Sequence, residues 1–331
     1  MNDPTPNAGA GGEPPRSDRR PADTQPPSFR IGVVGAGRVG AVLAAALRAA
    51  GHAVVAAAGE SDASRSRIAE LLPGVPVAKP SRVARRSDLL LLTVPDDMLG
   101  NVVAMLAASG ALRPGQVVVH TSGRHGLAVL APATALGARP IAIHPAMTFT
   151  GTAVDLERLR GCVFGVTAAP AEWDLAAALV ADLGGRSMSV PEDRRGRYHA
   201  GLAHGANHLV TLVAEAMEIL AASVEGPVSP ADTLRPLLTA ALDNALQQGD
   251  AALTGPIARG DVNTVRTHLA EIAVSAPHTL PSYVALARAT LSRVVTDGRV
   301  LPIRAAAIER VLDEAVAADD QGVRPPRTFS S

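Results

Sequence analysis

The stretch Ile31-Gly32-Val33-Val34-Gly35-Ala36-Gly37-Arg38-Val39-Gly40 joins a short apolar run to an alanine-rich segment. Its last three glycines follow the spacing G-x-G-x-x-G, which directly after a strand predicts a tight turn and then a helix. In such a unit Gly35 permits the turn, Gly37 leaves room for a close-lying ligand, and Gly40 lets the helix pack on the strand. The first amides of the helix favour phosphate. The stretch therefore predicts a dinucleotide-binding unit, with residues 35–40 as its cofactor cradle.

Short apolar runs alternate with helical stretches from this unit to about residue 190. The first three runs are nearly continuous in Val, Ile, Leu and Ala, which is typical of parallel strands buried on both faces. After Pro191 the strand signals stop, and Ala/Leu-rich helical segments follow. The sequence thus predicts an α/β fold, a Rossmann-type doubly wound parallel sheet followed by an all-α C-terminal domain. The expected strands are 30–34, 53–58, 89–94, 116–120, 140–144, 162–166 and 187–190.

Four regions follow from this pattern. Residues 1–28 are rich in Pro, Gly, Asp and Arg and are expected to form a disordered tail, since they contain little apolar surface to bury. Residues 29–191 should form the NAD(P)-binding domain and residues 192–318 the helical domain, with residues 319–331 as a second tail. The first helix of this domain is expected to start with Asp193 as its N-cap and to run to residue 222, and further helices are expected at 230–248, 261–274, 281–297 and 303–318.

The composition excludes several classes of protein. Thirty-one basic and 31 acidic residues leave no net charge, so neither nucleic acid nor an acidic membrane surface is an expected partner. A single cysteine, Cys162, allows no internal disulfide and indicates a reducing compartment, for which the cytoplasm is the expectation. No apolar run is long enough to predict a membrane span.

The residues after the second expected strand bear on cofactor choice. Glu60 could bind the ribose hydroxyls of NAD, whereas Ser61, Ser64, Arg65 and Arg67 could bind the 2′-phosphate of NADP. Two arginines and two hydroxyls favour NADP, with NAD possible.

Polar residues also follow three strands at the edge where such sheets bind ligands. Val94, Pro95 and Asp96 are assigned to the cofactor. Ser122 could bind a substrate carboxylate or the nicotinamide amide, with Gly123 keeping the approach clear, or it could simply bond its own turn. His144 could donate a proton to a substrate carbonyl, or cap the strand.

Three histidines lie close together on the first helix of the second domain, namely His199, His204 and His208, with Asn207 beside them. His204, Asn207 and His208 share one helical stripe. A zinc site at His204 and His208 is disfavoured because no third ligand is assured nearby, so no metal is predicted. Further along, Arg259 on a loop that starts at Thr254 could clamp a carboxylate, and Asp261 should cap the next helix.

These motifs resemble the superfamily of two-domain reductases that includes 6-phosphogluconate dehydrogenase, pyrroline-5-carboxylate reductase, prephenate dehydrogenase and ketopantoate reductase. The chain is more closely similar to a group of Rossmann-like oxidoreductases with a C-terminal helical domain of long-unassigned function. The similarity rests on residues 35–40, 144–149, 198–207 and 253–261, and covers residues 29 to about 295. It implies NADPH-dependent reduction of a 2-oxo acid such as ketopantoate, by a homodimer whose helical domains interlock.

The resemblance also implies roles for single residues. Many relatives carry a lysine four residues before the asparagine that corresponds to Asn207, but here that position is Ala203. The proton is therefore expected from His144, with His204 or His199 next. Asn207 would orient the substrate, while Ser122, Gly123, Thr254 and Arg259 would bind it. An imine reductase of the pyrroline-5-carboxylate type and a non-catalytic NADP-binding sensor or scaffold stay open as alternatives.

Overall fold

The computed structural model describes residues 28–320. The tail expected over residues 1–28 lies outside the described residues apart from Ser28, and residues 321–331 of the second expected tail also lie outside them. Asp319 and Asp320 do not belong to a tail, because they extend the last helix. Its helical pattern continues beyond Ala318, where the sequence analysis had ended it.

The described residues form an α/β unit followed by an all-helical unit, as predicted. The strands are β1 (Arg30–Val34), β2 (Ala53–Ala58), β3 (Leu89–Leu92), β4 (Val117–His120), β5 (Arg139–Pro145), β6 (Val163–Ala168) and β7 (Arg186–Ser189). The helices among them are α1 (Arg38–Ala49), α2 (Asp62–Leu71), α3 (Pro80–Arg86), α4 (Asp96–Ala108), α5 (Ala131–Thr134), α6 (Val154–Arg158) and α7 (Trp173–Asp182). After them come α8 (Arg195–Leu202), α9 (His208–Ala221), α10 (Pro230–Gln248), α11 (Gly255–Ala258), α12 (Val262–Ser275), α13 (Leu280–Thr296) and α14 (Pro302–Asp320).

The seven strands form one sheet in the order β2-β1-β3-β4-β5-β6-β7. Strands β2, β1, β3, β4 and β5 are parallel, whereas β6 is antiparallel to β5 and parallel to β7. The expectation of a wholly parallel sheet is therefore wrong for the β5–β6 pair. The segment between these two strands contains one short helix, α6. It does not carry the chain back to the end of the sheet at which β5 begins, so β6 runs in the opposite direction to β5.

Both faces of the central strands are buried, as the continuous apolar runs predicted, whereas β7 at the edge of the sheet is exposed. Leu89 and Leu91 of β3 belong to one hydrophobic cluster, and Leu90 and Leu92 belong to the other. Burying a leucine side chain contributes about 1.5–3 kcal/mol. The sheet is therefore held between two layers of helix, which leaves its carboxyl edge as the place for a ligand.

The chain divides into two compact units, one ending at Ala200 and one starting at Gly201. The sequence analysis sets the boundary after Pro191, where the strand signals end. The first residues of α8 nevertheless belong with the sheet, because Arg195 bonds to residues of β6 and Tyr198 bonds to His144 of β5.

The helix expected from Asp193 to residue 222 is interrupted. Asp193 is not an N-cap, since Glu192–Arg194 form a 3₁₀ turn and α8 begins only at Arg195. The side chain of Glu192 holds this turn against the loop after β4. A π-helical segment, Ala203–Asn207, then separates α8 from α9. A π-helical turn contains more residues than an α-helical turn. The α-helical spacing that placed His204, Asn207 and His208 on one stripe therefore does not hold in this segment.

The helical unit has its core between α12, α13 and α14. Val265, Val284 and Ile308 are among its fully or nearly fully buried side chains. Asp261 caps α12, as predicted, by accepting a hydrogen bond from the amide of Thr264 at 3.2 Å. By contrast, α9 has no buried residue. Within residues 28–320 no helix is both long and apolar enough to cross a membrane.

Gly40→Ala should destabilise the first unit. A Cβ at this position would overlap the Thr93 hydroxyl and lie 2.7 Å from the carbonyl oxygen of Gly35. Overpacking of this kind costs about 1–3 kcal/mol. Urea unfolding followed by circular dichroism measures the loss. Gly100→Ala on α4 is the matched control, because its Cβ would lie 3.9 Å from Val129 Cγ2. An equal loss of stability in the two variants would contradict the close packing of α1 on the turn.

Candidate active site

The turn between β1 and α1 is shaped for the close approach of a ligand. Gly35 has φ of 92°, in the left-handed region that favours glycine. Its amide and that of Ala36 donate to the carbonyl of Ala58 at the end of β2, at 3.1 and 2.9 Å. A Cβ on Gly37 would meet only the Gly35 carbonyl oxygen, at 3.8 Å. The space beside Gly37 is therefore open.

Helix α1 begins beside that open space without a capping side chain. The amide of Ala41 donates to the carbonyl of Gly37 at 3.2 Å. In the part of the chain that the structure describes, the amides of Arg38, Val39 and Gly40 have no backbone acceptor. Free amides at a helix N-terminus carry a partial positive charge that stabilises phosphate. This end of α1 can therefore bind a pyrophosphate.

A cavity of about 600 Å³ lies over the turn. Its volume is within the range of about 300–1,000 Å³ that is usual for ligand sites. It extends from the end of β2 to Thr121 and Ser122 at the carboxyl end of β4. Of the residues that the sequence assigns to the cofactor, those lining the cavity are Gly35, Gly37, Arg38, Val39, Ser61, Ser64, Val94, Pro95 and Asp96. Ala36 and Gly40 are buried in the turn.

Two serines form the end of the cavity next to β2. Ser61 caps α2 by accepting from the amide of Ser64 at 3.1 Å, and the two hydroxyl oxygens are 3.0 Å apart. Arg65 is already engaged, since it donates to the carbonyl of Glu60 and to the carboxylate of Asp62, both at 2.5 Å. Arg65 does not line the cavity, so the cavity's polar groups here are the two hydroxyls and Glu60, the residue that could bind the ribose hydroxyls of NAD.

The loop after β4 is held by a buried neutral histidine. His120 Nδ1 accepts from the amide of Ser122 at 3.2 Å, so Nε2 carries the proton and donates to the carbonyl of Gly126 at 2.8 Å. Burial lowers the pKa of His120 to about 4. The Ser122 hydroxyl accepts from the amide of His125 at 3.1 Å. Ser122 therefore bonds its own turn and also lines the cavity, with its hydroxyl hydrogen free to donate.

Three aromatic side chains meet where this loop lies beside β5. His144 Nδ1 and Tyr198 Oη are 2.9 Å apart. The ring of His199 stands edge-on to that of His144, with centroids 5.8 Å apart. A Cβ on Gly123 would overlap His199 Cδ2 and lie 2.9 Å from His144 Nε2. Gly123 thus makes room for the two imidazole rings, directly after the serine that lines the cavity.

The imidazole of His144 is neutral at physiological pH. Burial lowers its pKa to about 4, and the charge of Arg195 and the nearby His199 act in the same direction. Burial raises the pKa of Tyr198, with Arg195 partly opposing this shift. The pair therefore holds two neutral groups that share one hydrogen bond. Nε2 of His144 has no hydrogen-bond partner among residues 28–320.

The sequence motifs indicate no role for Tyr198 or for Arg195. Tyr198 directly precedes His199 and is one of only two tyrosines, so its position could have drawn attention. Arg195 is completely buried on α8, and its guanidinium donates to the carbonyl of Ser122 at 2.5 Å and to the Thr167 hydroxyl at 2.9 Å. No local pattern distinguishes it from the chain's many other arginines.

Four predicted site residues lie in the second unit. His204 Nδ1 is 3.0 Å from His208 Nδ1, and Asn207 is exposed at the end of the π-helical segment. Thr254 and Arg259 are exposed at the two ends of α11. The site in the first unit, which extends from the glycine turn to Tyr198, is therefore formed by residues of that unit alone.

A resident metal ion has no visible place in the described part of the chain. Across residues 28–320, no three His, Cys, Asp or Glu side chains form a group that could hold one.

The chain matches two domain families. Residues 13–145 match the Rossmann-like domain, and residues 162–290 match a domain of unknown function, DUF2520. No curated protein matches the chain.

Solved structures share the fold at low sequence identity. A Bacteroides fragilis protein, provisionally assigned as an NADP oxidoreductase, is 20% identical with a TM-score of 0.69, over 80% of this chain and 98% of that one. An imine reductase from Myxococcus stipitatus in complex with NADP⁺ is 17% identical with a TM-score of 0.58, over 87% and 94%. A reductive aminase from Aspergillus terreus in complex with NADPH and ethyl levulinate is 19% identical with a TM-score of 0.56, over 86% and 99%. At these identities the likeness establishes the fold.

The two buried histidines should resist protonation. Their pKa of about 4 lies below the value of about 6.5 expected in the unfolded chain. Between pH 6.5 and 4 the unfolded chain therefore binds more protons than the folded chain. As the pH is lowered from 6.5 to 5, the free energy of unfolding should decrease by roughly 1–2 kcal/mol per histidine. NMR of the imidazole carbons, with His144→Gln and His120→Gln for assignment, should show neither ring titrating above pH 5. A midpoint near 6.5 for His144 would contradict its neutral, buried state.

Proposed function

We propose that the protein is an NADP-dependent oxidoreductase that reduces the carbonyl group of a small carboxylate-bearing substrate. A 2-oxo acid such as ketopantoate is the favoured class. The observation that carries this proposal is a continuous arrangement in the first unit. The cavity over the glycine turn ends at Ser122, and the next residue, Gly123, packs against His144.

The chain's own residues fit a dinucleotide. The uncapped start of α1 and the open space beside Gly37 would take the pyrophosphate, and Ser61 and Ser64 would bind the adenosine end. NADP is favoured by these hydroxyls and by the NADP-bound neighbours of similar fold, with NAD possible. When bound, the cofactor would supply a hydride.

The proposed proton donor is neutral His144. Its Nε2 faces Gly123 and has no partner among the described residues, so it can donate to a substrate oxygen. In the same step Nδ1 takes the proton of Tyr198, 2.9 Å away, so the imidazole stays neutral and the negative charge passes to the Tyr198 oxygen, which regains a proton from solvent. General acid–base groups of this kind contribute about 10²–10⁴-fold to rate. His199 stands against the His144 ring and holds its orientation.

Residues of the second unit keep their proposed roles. Asn207 would orient the substrate, Thr254 and Arg259 would hold its carboxylate, and His204 would be a secondary proton donor. Exposed apolar side chains on α9 and α10, among them Val210 and Leu246, support a homodimer in which a second copy covers this face. We place the protein in the cytoplasm because Cys162 is its only cysteine.

An imine reductase is the second candidate. It is favoured by the shared fold of the imine reductase and the reductive aminase, and Tyr198 with His144 could also protonate a nitrogen. A non-catalytic NADP-binding sensor would need the same turn and cavity, but it would have no use for a proton-donating pair at the end of that cavity.

Cofactor titration followed by a substrate screen tests these candidates. NADPH should bind more tightly than NADH, as measured by nicotinamide fluorescence. Gly37→Ala should weaken NADPH binding at least tenfold, because its Cβ would enter the open space beside the turn, while the unfolding free energy stays close to wild type. Oxidation of NADPH with ketopantoate or other 2-oxo acids, but not with pyrroline-5-carboxylate, supports the carbonyl reductase. The reverse pattern supports the imine reductase, and binding without any turnover supports the sensor.

Tyr198→Phe should lower kcat by roughly 10–10²-fold, because the proton that replenishes His144 is lost. His144→Gln should lower kcat by about 10²–10⁴-fold. NADPH affinity should be unchanged in both variants, and Tyr283→Phe in the second unit serves as the matched control. Wild-type kcat in both His144→Gln and Tyr198→Phe would remove the pair from the mechanism.

A further inference from the structure

Arg195 is a buried cation that binds no carboxylate among residues 28–320. It is 0% exposed, and all its hydrogen bonds go to neutral oxygens. Nη2 donates to the carbonyl of Ser122 at 2.5 Å, and Nη1 donates to the Thr167 hydroxyl at 2.9 Å and the Gly165 carbonyl at 3.4 Å. Nε has no partner among the described residues. A buried charge is costly unless an opposite charge compensates it, so this arrangement requires an explanation.

The two acidic groups that act on this charge are bound elsewhere. The carboxylate of Glu192 accepts from the amides of Leu127 and Ala128, at 2.6 and 3.0 Å. Asp96 lies 3.4 Å from Arg124. In the described chain neither carboxylate forms an ion pair with Arg195, although both act on it at longer range.

Three titratable groups around Arg195 are uncharged at neutral pH. The guanidinium carbon lies 5.9 Å from the centre of the Tyr198 ring, and Tyr198 keeps its proton because burial raises its pKa. His144 and His120 are neutral, each with a pKa of about 4. These uncharged groups and Ser122 form a wall, and the positive charge of Arg195 lies directly behind its Ser122 carbonyl and its Tyr198 ring.

From this geometry we infer that Arg195 is a specificity-determining residue, whose uncompensated buried charge selects anionic substrates and disfavours cationic iminium substrates. The inference rests on the proposed function and narrows it to 2-oxo acids. Arg195 does not touch the substrate, since it is completely buried. Its field acts through the wall, where charges interact more strongly than in water. The same field also favours negative charge that develops on the carbonyl oxygen.

Matched ligands of different charge test the inference in the wild-type protein. With NADP⁺ present, calorimetry should show oxamate, an anion, binding at least tenfold more tightly than oxamide, its neutral counterpart. In turnover, kcat/KM for ketopantoate should exceed that for its neutral cyclic ester, ketopantolactone. Oxamide binding as tightly as oxamate would overturn the inference without any variant. Because binding needs no turnover, this result is independent of whether the protein reduces 2-oxo acids.

Variants then separate charge from structure. Arg195→Met should lower kcat/KM for ketopantoate by about 10²-fold, as for loss of one charge-stabilising group, with a loss about tenfold smaller for ketopantolactone. It should also raise the pKa of His144 above 4, which NMR measures directly. Arg195→Lys should keep most of the wild-type kcat/KM for ketopantoate and a His144 pKa near 4, because lysine keeps the charge. Arg113→Met, which removes an exposed arginine paired with Asp88, is the control and should change neither.

Two results would refute the role of Arg195. The first is an equal loss of kcat/KM for ketopantoate and for ketopantolactone in Arg195→Met, which would indicate a structural role only. The second is a loss in Arg195→Lys as large as that in Arg195→Met. Absence of turnover with every 2-oxo acid would instead refute the proposed function, while oxamate binding and the His144 pKa would still report on the charge.

Discussion

The shared direction of five neighbouring strands determines where chemistry can occur in this protein. Because β2, β1, β3, β4 and β5 are parallel, their carboxyl ends meet at one edge of the sheet. The glycine turn follows β1, Ser122 follows β4, and His144 lies near the end of β5. Residues more than a hundred positions apart in the chain are thus brought to one edge, without any bond that joins them directly.

Much of this arrangement could be predicted from local sequence. The apolar runs predicted seven strands, and their positions agree with the structure to within a few residues. The glycine spacing predicted the turn, and Asp261 predicted a helix start. These predictions succeed because each depends on residues close together in the chain, whose patterns reflect burial, turn geometry or capping.

The rest depends on contacts that no local pattern reveals. Nothing near Arg195 indicates that it would be buried, because its partners Ser122 and Thr167 lie far away in the sequence. The role of Tyr198 depends on a bond to β5. The antiparallel β6 depends on which way the chain turns after a short helix, and the π-helical segment changes a stripe that ordinary helical spacing predicts. In each case contacts with distant parts of the chain determine the local structure. A window of about ten residues does not include the partners in those contacts.

Glu192 connects two parts of the first unit that are distant in the chain. Its carboxylate binds the amides of Leu127 and Ala128, and Gly126 lacks the Cβ that would occupy the same space. Arg195, one helical turn further on, binds the Ser122 carbonyl of the same loop. The loop and the start of α8 are thereby fastened at two points. Substitutions in the loop and in the start of α8 should therefore have strongly non-additive effects on stability. Evolutionary drift in one segment then constrains which substitutions the other segment can accept.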